Sequence, residues 1–176
     1  MPERFSETRQ KHRSTLSCIK IFVPQINADN ADREVILEMN DSKTNEQFRH
    51  AELTKGIIGI FYEVYNELGH GFLESVYEKS LAIALRAKGY EVQQQVAIPV
   101  WFRGQQVGDF VADLLVNKLV ILELKSCRSI DDAHLAQLLN YLKATELEVG
   151  LLLNFGPRPE FKRAVFGNER KRSELT

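Results

Sequence analysis

Gly108–Ser126 reads GDFVADLLVNKLVILELKS, two apolar runs on either side of Asn117-Lys118. Both runs are rich in Val, Leu, Ile and Phe and too short for ordinary helices, so both read as strands. Side chains on a strand alternate between faces, so Glu123 and Lys125, two apart, project from the same face. An apolar strand carrying an acid and a base on one face must pair them or use them, because buried unpartnered charges are too costly to keep. Asp113, on the preceding strand, adds a second carboxylate. Two carboxylates beside an ammonium suit a magnesium ion and a phosphate.

The turn sets the register. A two-residue loop of Asn117 and Lys118 would place Asp113 opposite Leu122, on the wrong face for Glu123. A three-residue loop, Asn117 to Leu119, pairs Val116 with Val120 and brings Asp113 opposite Glu123. Such a loop needs a residue with positive φ, a role for Asn117 or Lys118. Like charges directly opposed destabilise a sheet. A divalent cation between them fits better than one lysine.

Composition narrows the class. The chain has 176 residues, a hydrophobic fraction of 44% and a formal charge of −1, ordinary for one globular domain. No apolar run approaches the roughly 20 residues needed to span a bilayer. The N-terminal apolar stretch Cys18–Val23 is short, contains Lys20 and does not read as a signal peptide. Cys18 and Cys127 lack metal-ligand spacing and read as free thiols in a reducing cytoplasm. Arg158, Lys162, Arg163, Arg170, Lys171 and Arg172 cluster near the C-terminus. A charge run is usually only a solvated face, so they are weak support for a phosphate-backbone contact.

Residues 1–47 are polar and aperiodic apart from a short candidate strand at Ile19–Val23, and read as a flexible extension. From residue 48 the pattern sharpens. Leu53, Ile57, Ile60, Phe61, Val64 and Leu68 recur at helical spacing up to Gly69. A second helix over 72–88 follows, with Leu73, Val76, Tyr77, Leu81, Ala84 and Leu85 apolar and Gly89 as its stop. Strands are expected at 91–102, 106–116 and 119–125, with a turn at Arg103-Gly104-Gln105. Pro99 suggests an edge position or a bulge for the first of them. Ser129 or Asp131 can cap a third helix, 131–147, facing the core with Leu135, Leu138, Leu139 and Leu142. Residues 148–155 form a buried strand stopped by Gly156-Pro157, and 161–166 a last short one. The link from the third strand through the third helix is long enough for a parallel crossover.

With these residues in this order, the chain resembles the PD-(D/E)XK nuclease superfamily, and within it the GxxExxY family. The naming motif stands as Gly71-Phe72-Leu73-Glu74-Ser75-Val76-Tyr77. The superfamily's acid matches Asp113, its E-x-K matches Glu123-Leu124-Lys125, and its helix motif Q-x-x-x-Y matches Gln137 and Tyr141. The strand LLLNFG also matches. Ala112 stands where the superfamily's name has proline, and His70 where the GxxExxY family has one. Neither removes a group that the chemistry needs. The resemblance covers about residues 50–166. It implies an α/β (mixed α+β), restriction-endonuclease-like core, α-β-β-β-α-β, with a mixed sheet flanked by helices. The implied division is an extension to 47, a nuclease-like domain over 48–167 and a tail over 168–176.

The resemblance also implies roles. Asp113, Glu123 and the backbone carbonyl of Leu124 would hold Mg²⁺, with Mn²⁺ as a substitute, and waters would complete the shell. Lys125 would position or deprotonate the attacking water, or stabilise the charge that develops on the phosphorane. Glu74 would complete the acidic site, against the ordinary fate of a solvated helix glutamate. Gln137 and Tyr141, four apart, form a polar stripe away from the leucines that would face the cleft and touch phosphate or the metal-bound water, with Gln137 counted among the catalytic residues; Tyr77 would pack at its margin. His134 and His70 read as structural. Trp101 and Phe102 could stack on a base, although aromatics at a strand end are more often core or interface. The implied activity is metal-dependent hydrolysis of DNA phosphodiester bonds in the cytoplasm, with no membrane partner and with a homodimer left open. Its rivals are a catalytically silent nuclease-fold module for binding or assembly, and an RNA-directed nuclease. The neutral net charge favours the silent module, and the intact Asp–Glu-x-Lys favours the enzyme.

Overall fold

The computed structural model describes residues 48–173. The candidate strand at Ile19–Val23 lies outside them. Helices α1 (Ala51–Leu68) and α2 (Glu74–Ala87) are followed by strands β1 (Val92–Phe102), β2 (Gln105–Val116) and β3 (Val120–Lys125). After them come α3 (Asp132–Ala144), β4 (Val149–Asn154), β5 (Glu160–Val165) and a short α4 (Asn168–Ser173). The five strands form one sheet in the order β1-β2-β3-β4-β5. All neighbours are antiparallel except β3 and β4, which α3 joins as a parallel crossover. This is the mixed sheet that the sequence implies, with β1 and its Pro99 on the edge.

Each helix pair or helix takes one face of the sheet. Ile57, Phe61 and Val64 of α1 and Leu81 and Leu85 of α2 pack on Leu114, Val116, Leu122, Leu124, Leu151 and Leu153. Leu135, Leu138 and Leu142 of α3 cover the other face at Ile98, Ile121 and Leu152. β4 is buried along its whole length because both layers rest on it. That is the pattern expected of a parallel strand covered on both sides. No helix among the described residues is long and apolar enough to cross a membrane.

The turn after β2 keeps the expected register by an unusual route. Asn117 and Lys118 both take positive φ, 51° and 58°, and the Leu119 N–H returns to the Val116 carbonyl. Leu119 is then an extra residue, so pairing resumes at Val116↔Val120. Asn117 is held there because its Oδ1 accepts the Glu91 N–H while its own N–H goes to the Glu91 carbonyl. The β1–β2 turn is a tight two-residue one, Arg103 and Gly104, both with positive φ, as hairpin twist favours.

Three expectations shift. α3 stops at Ala144, not Leu147, because Thr145 turns to an extended backbone and donates its hydroxyl to the Tyr141 carbonyl. Trp101 and Phe102 belong to no core: at 61% and 60% exposure they stand on the end of a β1–β2 arm that outreaches β3. In the expected tail, residues 168–173 form α4, anchored by the Glu148 carboxylate on the Asn168 N–H and by Lys171 on the carbonyls of Thr145 and Leu147.

Candidate active site

The β2–β3 ladder runs from Val116↔Val120 to Leu114↔Leu122 and stops there. One step further along the same register Asp113 would face Glu123. At that step the Asp113 carboxylate takes the place of a strand carbonyl: Oδ2 accepts the Leu124 N–H at 2.7 Å. Burial pushes the Asp113 carboxyl up, and the charges of Glu78 and Glu74 add to it, against the Leu124 N–H and Lys125.

Glu123 is 2% exposed, although it lies on an apolar strand. Its Oε1 accepts from Lys125 Nζ at 2.6 Å, and its Oε2 is buried with no partner among the described residues. Burial and the nearby Asp113 charge push the Glu123 carboxyl up to about 7, even with the lysine beside it. Burial works against the Lys125 ammonium too, but the Glu123 hydrogen bond and charge outweigh it and hold Lys125 above its ordinary range. The strand alternation therefore brings acid and base together as expected.

α3 closes the site from the other side. Asp131 caps it by accepting the His134 N–H, and His134 Nδ1 accepts the Asp131 N–H in return. That settles His134 as a capping residue. The expected polar stripe is only half right, because Tyr141 is buried among leucines and tilts against the Phe110 ring at 5.5 Å. α3 lies flat on the sheet, so this edge meets β2 rather than solvent. The Tyr141 hydroxyl donates to the Val111 carbonyl at 3.1 Å and accepts from Gln137 Nε2 at 2.6 Å. Burial, with the charges of Glu123 and Asp113, pushes its phenol up to about 12. It is a hydrogen-bond donor at any working pH.

α2 supplies the fourth side. Glu74 Oε1 accepts the Ser126 N–H at 3.0 Å, just past the end of β3, and the Ser126 hydroxyl donates to the Phe72 carbonyl. Glu74 is thus tied to the residue after Lys125, and its charge reaches Lys125 and Asp113. Tyr77 is wholly buried, stacked on Phe155 at 4.2 Å. Its hydroxyl donates to the Gly69 carbonyl and accepts the Phe72 N–H, pinning the turn that sets α2 against the sheet. Glu78, one turn after Glu74, is a near-buried carboxylate that sequence reasoning missed. The i,i+4 spacing, which puts it on the face of Glu74, was the available signal.

Past β3, the wholly buried Asn154 accepts the Cys127 N–H and donates to the Cys127 carbonyl, fixing the segment that leaves Lys125. The C-terminal basic cluster is partly spent inside the molecule. Arg163 donates to the Arg49 carbonyl and Lys171 to the carbonyls of Thr145 and Leu147 just past α3.

The sheet order, the acid pair at the splayed strands and the adjoining lysine define a nuclease-type core. The chain belongs to the PD-(D/E)XK nuclease superfamily, whose family model matches residues 51–164. Among curated proteins no match is found. A solved protein titled "Crystal structure of SSO0001" is similar over 73% of this chain and 66% of its own length, at 21% identity and a TM-score of 0.44. This chain thus spans a little under two thirds of that protein.

Proposed function

We propose that this chain is a divalent-metal-dependent nuclease that hydrolyses DNA phosphodiester bonds, with Mg²⁺ as the natural ion. Its narrower kinship is with the GxxExxY family through Gly71, Glu74 and Tyr77, and its working unit is residues 48–167. The observation that carries the reading is the buried, unpartnered Oε2 of Glu123, beside an Asp113 whose second oxygen is left for another partner. Carboxylates pressed together and held above their usual range call for a cation. Among the described residues no group of three or more His, Cys, Asp or Glu side chains could hold a metal ion, so the reading rests on two carboxylates and one backbone carbonyl. The donor set is oxygen only, which suits an ion that keeps most of its waters and takes one or two carboxylates.

In this reading Asp113, Glu123 and the Leu124 carbonyl hold the ion. When bound, it supplies charge neutralisation at the scissile phosphate and a more acidic water. Lys125 orients the attacking water and faces the charge that grows on the phosphate, fixed in place by Glu123 Oε1. Glu74 holds the chain just after Lys125 through the Ser126 N–H. Gln137 and Tyr141 form the dry wall behind Glu123, which keeps the carboxylate out of bulk water and strengthens its hold on a cation.

The test is cleavage of end-labelled duplex and single-stranded DNA with Mg²⁺ or Mn²⁺ and with a chelator, for wild type and Lys125→Ala. Metal-dependent cleavage lost in the variant is the expected result. Cleavage of RNA alone moves the assignment to an RNA-directed nuclease. No cleavage of flapped, duplex, single-stranded or RNA substrates moves it to a silent nuclease-fold module.

A further inference from the structure

Gln95, the fourth residue of β1, has φ 52°, a left-handed conformation that residues other than glycine seldom take. The conformation has a local consequence. Neighbouring strand residues normally point to opposite faces. Here the amides of Gln94 and Gln95 both reach the same carboxylate, that of Glu78 on α2. Gln94 Nε2 donates to Oε1 at 3.0 Å and Gln95 Nε2 to Oε2 at 2.7 Å. Arg86 fixes the direction of the first amide, because its NH1 donates to Gln94 Oε1. Glu78 is 8% exposed, so these bonds replace most of its water.

The same point on β1 faces Asp113. The ladder pairs Gln94 with Leu114 and Val96 with Ala112, and the intervening step, Gln95 against Asp113, is unpaired. On the other side β2 has already parted from β3 after Leu114. Asp113 is therefore where β2 lets go of both neighbours. The faces change over at this point as well: Val92 and Leu114 pack under α1 and α2, whereas Val96, Ile98 and Ala112 pack under α3. A residue so released can turn its carboxylate across to the Leu124 N–H, which a fully paired strand residue could not do.

We infer that Glu78, Gln94 and Gln95 form a positioning clamp for Asp113: the two amides on one carboxylate hold Gln95 left-handed, and this opens the sheet where Asp113 must turn into the site. The three residues touch neither substrate nor ion; they act through Asp113. The inference rests on the nuclease reading for its catalytic meaning but not for its structural test.

Three variants separate backbone from side chain. Gln95→Val disfavours positive φ and removes the amide; Gln95→Gly removes the amide but keeps the conformation available without strain. Glu78→Gln keeps the volume and loses the charge that both amides share. The first readout is hydrogen exchange of the Leu124 amide, which reports its bond to Asp113 whether or not the protein cuts anything. The second is kcat and KM on an end-labelled DNA duplex with Mn²⁺.

Gln95→Val should speed Leu124 exchange by about tenfold or more, as a lost protecting bond does. It should lower kcat by about 10- to 100-fold with KM little changed, the scale of a small misplacement of a reacting group. Gln95→Gly should restore most of both, and Glu78→Gln should lie between them. If Gln95→Val fails to fold, Glu78→Gln alone decides through Leu124 exchange. Unchanged Leu124 protection in Gln95→Val, or in Glu78→Gln when that variant decides alone, overturns the clamp, as does a Gln95→Gly as impaired as Gln95→Val. If the wild type cuts nothing while Leu124 exchange follows the variants as stated, the nuclease reading fails and the clamp stands.

Discussion

Lys125 Nζ and Glu123 Oε1 stand 2.6 Å apart on one face of β3, with the lysine side chain 15% exposed and the glutamate 3%. The pair is drier than a surface ion pair, so removing one partner is not free. Lys125→Ala leaves the carboxylate buried, but Glu123 can take up a proton near neutral pH. The expected loss of stability is therefore about 1–3 kcal/mol, the cost of an unsatisfied buried group, rather than the larger cost of a stranded charge. Urea unfolding measures it. DNA cleavage should fall by far more than that loss of stability could explain, and an active Lys125→Ala would remove the lysine from the chemistry.

The Glu123 carboxyl, pushed up to about 7, makes stability depend on pH in a defined direction. Between its ordinary value near 4.5 and about 7 the folded state holds more protons than the unfolded one. Stability contributed by this group therefore falls as pH rises through that window. Asp113, also raised, adds to the same slope. Glu123→Gln should flatten it, so the variant gains on the wild type in melting temperature as pH is raised, with chelator present throughout. Parallel pH profiles for the two proteins would show that Glu123 ionises like an exposed carboxylate.

Tyr141→Phe removes one hydroxyl that both donates to Val111 O and accepts from Gln137. The Val111 carbonyl and the Gln137 amide then lose a partner, at an expected cost of about 1–2 kcal/mol by thermal or denaturant unfolding. Because the phenol is held near 12, it does not act as a base, and the pH profile of cleavage should keep its shape while the rate drops modestly. A profile that loses its alkaline limb would make Tyr141 a proton donor in the reaction.

What the sequence made legible follows physical strength of signal. The register Val116↔Val120, and with it the approach of Asp113 to Glu123, was readable because strand alternation leaves few options once one face must be buried. The helix cap was narrowed to Ser129 or Asp131, and Pro99 to an edge or a bulge; the structure selects Asp131 and the edge. Gln95 was not legible, since glutamine carries no preference for positive φ and its conformation comes from Glu78, seventeen residues earlier in sequence. Glu78 was legible only through its i,i+4 spacing from Glu74, which gives its helix face but not its burial. Tyr141 reads as polar by residue type, yet its ring fills the layer between α3 and the sheet. Such placements are tertiary, and a linear pattern does not record them.

Gly156→Ala probes the segment that leaves β3. A Cβ at Gly156 would run into the Cys127 carbonyl oxygen and crowd the Asn154 amide, both fixed by their mutual hydrogen bonds. Backbone cannot yield as a flexible side chain would, so the expected loss is about 1–3 kcal/mol with a displaced Ser126. Ser126 carries the bond to Glu74, so cleavage should weaken as well. A variant as stable as wild type would mean that the segment after Lys125 is free to shift.

Asp113→Asn and Asp113→Ala divide the two duties of that carboxylate. The asparagine oxygen can still accept the Leu124 N–H, so Asp113→Asn should keep the fold and unfold within about 1 kcal/mol of wild type. The alanine leaves the Leu124 N–H without its acceptor and should cost about 1–3 kcal/mol. Cation binding should divide differently. Both variants remove a charged oxygen ligand, so calorimetric titration with Mg²⁺ should show affinity down by about tenfold or more in each, since losing a charged interaction of this kind is worth more than 1.4 kcal/mol. Mg²⁺ binding in Asp113→Asn equal to that of wild type would remove Asp113 from the ion's shell, leaving it only the structural bond to β3.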